Sequence, residues 1–213
     1  MRLYLVRHGQ TSWNVDGKAQ GHTDISLDDS GLAQAYAVGE AFRGIEIDRI
    51  VSSDLQRAFQ TAEAIQAATN APAERRRDLR ERSFGDWEGM DFRDLAATQI
   101  ELGLQQGVSF TEVRPPNGES FADVWTRLDP FMDAIEESDE RIAVVTHGGT
   151  CAVLLARLMR ANVDSIRSFR FGNTAVTELE RRADGFYLLV RYADTSHLAD
   201  ARALTGSVDG SRR

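Results

Sequence analysis

Short apolar runs alternate with longer stretches of helical periodicity along this chain. Residues 2–7, RLYLVR, predict a short buried strand ending at a His-Gly turn. Residues 8–27 are rich in Gly, Asn, Asp, Thr and Ser and predict a long loop. From Asp28 to Phe42, Leu32, Ala35, Tyr36, Gly39 and Phe42 trace one face of a helix. Ile47–Ser52 predict a second strand. Asp54 is placed to cap the next helix, whose apolar face runs through Leu55, Ala58, Phe59, Ala62 and Ile65 until Pro72 stops it. A short strand fits 73–77. Residues 83–118 carry helical patches, glycines and a Pro115-Pro116-Asn117-Gly118 turn, and predict an insertion covering one end of the molecule. Helical spacing returns from Glu119 to Glu136. Ile142–Thr146 predict a solid apolar strand, Thr150–Arg160 a helix, and 174–181 with 185–192 a β-hairpin. Alternating strands and helices argue for an α/β domain with a largely parallel sheet. No repeat or linker divides the chain. The expectation is one domain over 1–201 and a frayed tail over 202–213.

Three of the predicted strands end in polar signatures: Arg7-His8-Gly9, Ser52-Ser53-Asp54 with Arg57 following, and Thr146-His147-Gly148-Gly149. In an open parallel sheet the carboxyl ends of the strands share one edge, where ligands bind. His8, Arg57 and His147 therefore share one rim. Two guanidinium forks suit a phosphate, because they donate bidentate, charge-assisted hydrogen bonds. Glycines after each histidine leave backbone N–H groups free to approach an anion. A neutral imidazole can attack phosphorus when its other nitrogen is held by a backbone acceptor.

Composition narrows the alternatives. The net charge is −8 and one cysteine, Cys151, is present. A single cysteine excludes an intramolecular disulfide and a cysteine-based zinc cluster. The four histidines, 8, 22, 147 and 197, form no HxH or HExxH pair, so no metal ligand set is read. Lys18 is the sole lysine, which disfavours lysine-based chemistry. The longest apolar run, Cys151–Ala156, has six residues, against about 20 for a membrane span. The first ten residues turn polar too soon for a signal peptide. The expectation is a cytoplasmic protein with no membrane or nucleic-acid partner. Arg75-Arg76-Arg77 read as a solvated stretch balanced by Glu74, Asp78 and Glu81. Cys151 reads as a small core residue, and His22 and His197 as exposed polar residues.

LVRHGQTSWN at 5–14 resembles the signature of the histidine phosphatase superfamily, the phosphoglycerate mutase-like group. The resemblance continues through Gln20-Gly21, Thr23-Asp24 and Leu27, SSDLQRAFQTA at 52–62, LRERSFGDWEG at 79–89, PPNGES at 115–120 and VVTHGG at 144–149. It implies a three-layer α/β/α sandwich with an inserted helical lid, and a metal-independent reaction without cofactor. It also implies roles. His8 is the nucleophile that becomes phosphohistidine. Arg7, Arg57 and His147 bind the phosphoryl group, with a contact from Asn14. Glu81 gives a proton to the leaving oxygen and later activates water. Gln20, Gly21 and Thr23 line the substrate pocket. The cofactor-dependent mutases of the group have a longer insertion and an HYGALQG-like block. Here SFGDWEG stands instead, and only about 33 residues separate Glu81 from Pro115, which favours a phosphatase of small phosphomonoesters. A mutase, or a catalytically silent module binding phospholigands, is the alternative; monomer and homodimer both stay open.

Overall fold

Side chains of a strand alternate between the two faces of its sheet, and in this chain both faces are apolar. The computed structural model describes residues 1–199; the tail expected over 202–213 lies outside the described residues. The strands are β1 (Arg2–Arg7), β2 (Arg49–Ser53), β3 (Ala73–Arg76), β4 (Arg141–Thr146), β5 (Val176–Arg181) and β6 (Tyr187–Asp194). They form one sheet in the order β3-β2-β4-β1-β5-β6. The pairs β3/β2, β2/β4 and β4/β1 are parallel; β1/β5 and β5/β6 are antiparallel. Leu3, Leu5, Ile142, Val144 and Leu179 face one side, and Tyr4, Val6, Ile50, Ala143, Val145 and Val176 the other.

Each face is covered by helices, as a parallel sheet requires. The helices are α1 (Ser12–Val15), α2 (Asp29–Ala41), α3 (Gln56–Thr69), α4 (Phe92–Gln106), α5 (Phe121–Arg127), α6 (Asp129–Glu136) and α7 (Gly148–Leu158). Helices α2 and α3 bring Val38, Phe42, Ala58, Ala62 and Ile65 onto one face. On the other, α5, α6 and α7 bring Val124, Phe131, Ile135, Val153 and Leu154. The result is the three-layer α/β/α sandwich. Among the described residues no helix is long and apolar enough to cross a membrane.

Three local expectations need correction. The loop over 8–27 contains α1, because Thr11 and Asn14 form a reciprocal capping box around its first turn. The helix expected over 119–136 breaks at Leu128, which closes α5 and opens α6; Pro130 sits in the first turn of α6, where its missing N–H costs nothing. Asp54 does not cap α3. Leu55 holds that position without a side-chain bond, and the Asp54 carboxylate takes the Arg80 fork at 2.7 and 2.6 Å.

The register places the site. Arg7 pairs with Thr146 across β1/β4, and Ser52 with Val145 across β2/β4. The next residues, His8, His147 and Ser53, therefore emerge side by side at the carboxyl edge. Residues 84–113 carry a small core of their own: Phe84, Trp87, Leu95 and Val113 around Ala19. This segment is tied to the first loop by Ala19 N–H to Met90 O, Gly89 N–H to Ala19 O and Phe92 N–H to Gly17 O.

Gly9 and Gly31 let the turn after β1 press against the first turn of α2. A Cβ on Gly31 would stand 2.0 Å from the Gln10 carbonyl oxygen, and one on Gly9 would stand 2.6 Å from that of Gly31. Gly31→Ala is expected to lower stability by about 1–3 kcal/mol in urea denaturation. Gly172→Ala, whose methyl would meet Thr195 at 3.6 Å, is expected to stay within about 0.5 kcal/mol of the parent.

Candidate active site

His8 follows β1 directly and is almost fully buried. Its Nδ1 lies 2.6 Å from the carbonyl oxygen of Gly9. A carbonyl only accepts, so Nδ1 carries the proton and Nε2 keeps its lone pair. Burial, then the Arg57 and Arg7 charges, hold the His8 pKa well below its ordinary value. The ring is thus a neutral imidazole with a defined tautomer. The neighbouring turn is fixed by Gly9 N–H donating to Thr61 Oγ1 at 3.0 Å. That N–H is therefore not free for an anion, contrary to the expectation from sequence.

His147 packs edge-on against His8, the ring centres 5.1 Å apart. Its Nδ1 accepts from Arg57 Nε at 3.2 Å, so its proton resides on Nε2, 2.9 Å from Ser53 Oγ. Burial and the Arg57 charge hold this histidine neutral as well. His147 lies behind the pocket wall rather than on it, with both nitrogens engaged. Donating to a phosphoryl oxygen would require Nδ1 to exchange Arg57 for the ligand and a proton.

Arg57, in the first turn of α3, is completely buried. It donates from Nη1 to Thr23 O at 2.9 Å and from Nη2 to Gly21 O at 2.7 Å. Desolvation lowers its pKa to about 10, which leaves it cationic at neutral pH. Arg7 donates from Nη1 to Phe171 O at 2.7 Å, and its buried Nε has no partner among the described residues. Neither guanidinium forms an ion pair among the described residues. Carbonyl dipoles hold them, so the pocket floor keeps its positive charge.

Glu81 lies across the N-terminus of α7. Its Oε2 accepts from Gly149 N–H at 2.9 Å, and its Oε1 from Arg82 N–H at 2.9 Å and Thr150 N–H at 3.2 Å. The orphan amides and positive dipole end of a helix favour a carboxylate there. Arg80 and Arg82 flank Glu81 in sequence, but their side chains turn to Asp54 and Gln99. Arg127 pins the backbone beneath, donating to the carbonyls of Asp78, Arg80 and Glu81.

The loop over 20–23 depends on a residue that sequence reasoning passed over. The Glu88 carboxylate accepts from His22 N–H, Thr23 N–H and the Thr23 hydroxyl, and from Phe84 N–H. This fold-back aims the Gly21 and Thr23 carbonyls at Arg57. Gly21 has φ +53°, and a Cβ would stand 2.2 Å from Glu88 Oε1, so glycine is required. The only signal for Glu88 was its place in the SFGDWEG block. Thr23 spends its side chain on Glu88 and does not line the pocket. Gln20, Gly21 and Asn14 do line it; the buried Gln20 Oε1 has no partner among the described residues. Asn14 accepts from Thr11 N–H and Asn173 Nδ2 through its Oδ1.

His22 and His197 are half-buried rather than exposed. His22 Nε2 lies 2.9 Å from Glu81 O, and His197 Nε2 3.0 Å from Thr174 Oγ1. Cys151 is buried in the core, and burial raises its thiol pKa. Arg75 lies over the Phe59 ring and Arg76 pairs with Asp78, as a solvated stretch would.

Arg7, His8, Asn14, Gln20, Arg57 and Glu81 share one pocket of about 900 Å³. A second cavity of about 540 Å³ lies at the amino end of β1, beside Met1. Two of its arginines are paired, Arg157 with Asp129 and Arg181 with Asp139, and no site histidine reaches it.

Comparison with known proteins agrees with this geometry. The family model of the histidine phosphatase superfamily (branch 1) matches residues 3–195. The chain is 34% identical to phosphoglycerate mutase-like protein 4 of Arabidopsis thaliana, over 99% of this chain and 92% of that protein. It is 34% identical to the adenosylcobalamin/alpha-ribazole phosphatase of Salmonella typhimurium, over 80% of this chain and 85% of that protein. The native structure of a mycobacterial glucosyl-3-phosphoglycerate phosphatase superposes with a TM-score of 0.79 at 30% identity, covering 91% of this chain and 99% of that one.

Two outcomes are expected. The pKa values of His8, His147 and His197 are lowered in the native state. Below about pH 6.5 the unfolded chain takes up protons that the native chain refuses, so stability is full above that pH and is lost as pH falls. Each histidine contributes up to about 1.4 kcal/mol per pH unit. Denaturation from about pH 5 to 8 should show His8→Asn with a shallower acid slope; an unchanged slope contradicts the burial account. Glu88→Ala should weaken binding of inorganic phosphate about tenfold by releasing the carbonyls that aim Arg57, as measured by calorimetric titration. Glu88→Gln, which can still accept from these amides, should lose less.

Proposed function

This chain belongs to branch 1 of the histidine phosphatase superfamily, and from that premise we propose a metal-independent phosphomonoesterase acting on small phosphorylated metabolites in the cytoplasm. The observation that carries the reading is the His8 Nδ1 contact to Gly9 O at 2.6 Å, in a ring kept neutral by its burial and by the charges of Arg57 and Arg7. An imidazole held in this way offers Nε2 as a nucleophile and needs no deprotonation first.

Arg7 and Arg57 take the equatorial phosphoryl oxygens. His8 Nε2 attacks phosphorus, and the bond from phosphorus to the ester oxygen breaks. Glu81, protonated for this step, releases an N–H of α7 and gives its proton to the leaving oxygen, so an alcohol departs. Water then attacks the phosphohistidine and loses its proton to the Glu81 carboxylate. The P–N bond breaks, inorganic phosphate leaves and His8 is restored. Fixed charges aimed at the transferring group supply stabilisation without reorganisation. Asn14 and Gln20 contact the ester, His147 holds Arg57 in place, and Gly21 and Thr23 act through Arg57. Among the described residues no group of three or more His, Cys, Asp or Glu could hold a metal.

Phosphate release from p-nitrophenyl phosphate in EDTA tests the reading. Wild-type turnover should persist in the chelator. His8→Ala should lose about 10³-fold or more, and Glu81→Gln about 10²–10⁴-fold. Undiminished release by His8→Ala would overturn the nucleophile assignment.

A further inference from the structure

The wall above the phosphoryl site is aromatic. Phe84, Phe92, Phe110, Phe121, Phe169 and Phe171 all line the pocket that holds His8 and Glu81; the whole chain has ten phenylalanines. Phe84 and Phe171 also belong to the packed core, but Phe92 is half-exposed and Phe110, Phe121 and Phe169 are only partly buried, so ring surface is left over for a ligand. We propose that the alcohol portion of the substrate carries an aromatic or comparably bulky apolar body, rather than a short polyol. This rests on the phosphatase reading and specifies its substrate class.

The wall is built. Phe84 and Phe92 meet edge-on, with ring centres 5.9 Å apart, and Phe110 and Phe121 stack at 5.9 Å with an interplanar angle of 24°. The buried Arg82 guanidinium lies 4.6 Å from the Phe84 ring centre and 4.3 Å from that of Phe121. Its Nη2 donates to Gln99 Oε1 of α4, and the Gln99 amide donates to Phe110 O. Rings from four points of the chain are thus held before substrate arrives, and a preorganised wall costs little ordering on binding.

The polar groups of the wall are engaged with the protein itself. Arg167 and Arg170 are exposed. The Arg167 guanidinium lies over the Phe110 ring at 5.2 Å, and Arg170 Nη1 donates to the Arg167 and Phe169 carbonyls. Asp164 takes the Thr111 hydroxyl. A short polar alcohol would leave the ring faces wet, whereas an aromatic body removes them from water and meets ring edges in a favoured geometry.

The test uses two esters of primary alcohols, 3-phenylpropyl phosphate and glycerol 1-phosphate, of which the glycerol ester has the slightly more acidic leaving group, so that leaving-group chemistry works against the expected preference. The wild type should show kcat/KM for the phenylpropyl ester at least about tenfold higher, which corresponds to about 1.4 kcal/mol. Phe92→Ala and Phe110→Ala should each shrink that ratio about threefold or more, chiefly through KM. Phe92 is half-exposed, so its truncation leaves the core intact. Equal efficiencies, a preference for glycerol 1-phosphate, or a ratio unmoved by both variants would overturn the inference while leaving the phosphatase reading in place. Failure to hydrolyse either ester or p-nitrophenyl phosphate would overturn the reading beneath it.

Discussion

Two guanidinium charges, Arg57 fully buried and Arg7 partly buried, held without an ion-pair partner among the described residues, are the constraint on which the rest of the structure depends. Burying a cation is costly unless dipoles or counter-charge compensate it. Here Arg57 is compensated by the Gly21 and Thr23 carbonyls and by His147, and Arg7 by the Phe171 carbonyl. Dipoles stabilise a cation without cancelling its charge, so the pocket stays positive in a chain of net charge −8. Burial, reinforced by the same arginine charges, keeps both histidines neutral.

That arrangement must be held rigidly, and the surrounding parts do so. The parallel register sets His8 beside His147. Glu88 fixes the loop that aims Arg57, and Arg127 fixes the backbone that carries Glu81. Glu119 joins these supports, accepting from Arg127 Nε at 2.9 Å and from Ser83 N–H at 2.9 Å. The segment over 84–113 supplies Glu88 and much of the aromatic wall, so the covering segment contributes both to Arg57 and to the space above it.

Much of this was legible in the sequence, for identifiable reasons. Apolar strands followed by His-Gly are local patterns, and the rule that parallel strands share a carboxyl edge converts them into one site. The two-sided core follows from the consecutive apolar residues of the central strands, whereas the strand order depends on long-range pairing that no local pattern encodes. The break at Leu128 was hidden because apolar spacing continues through it, while Pro130 acts only on the backbone. Asp54 looked like a cap because capping is a local signal; its true partner, Arg80, is 26 residues away. Glu88 escaped because its bonds run 65 and 66 residues back, to Thr23 and His22. The placement of His147 behind the pocket wall, and the loss of the Gly9 amide to Thr61, depend on side-chain directions that periodicity does not encode.

The central claim is that the phosphoryl group passes through His8. Rapid quenching of the enzyme during turnover of a radiolabelled phosphomonoester, followed by peptide mapping, tests it most directly. The account predicts a label on the His8 peptide that is lost in acid and retained in alkali, as a P–N bond requires, and that is absent from His8→Ala. An acid-stable label on another residue, or no label during sustained turnover, would contradict it.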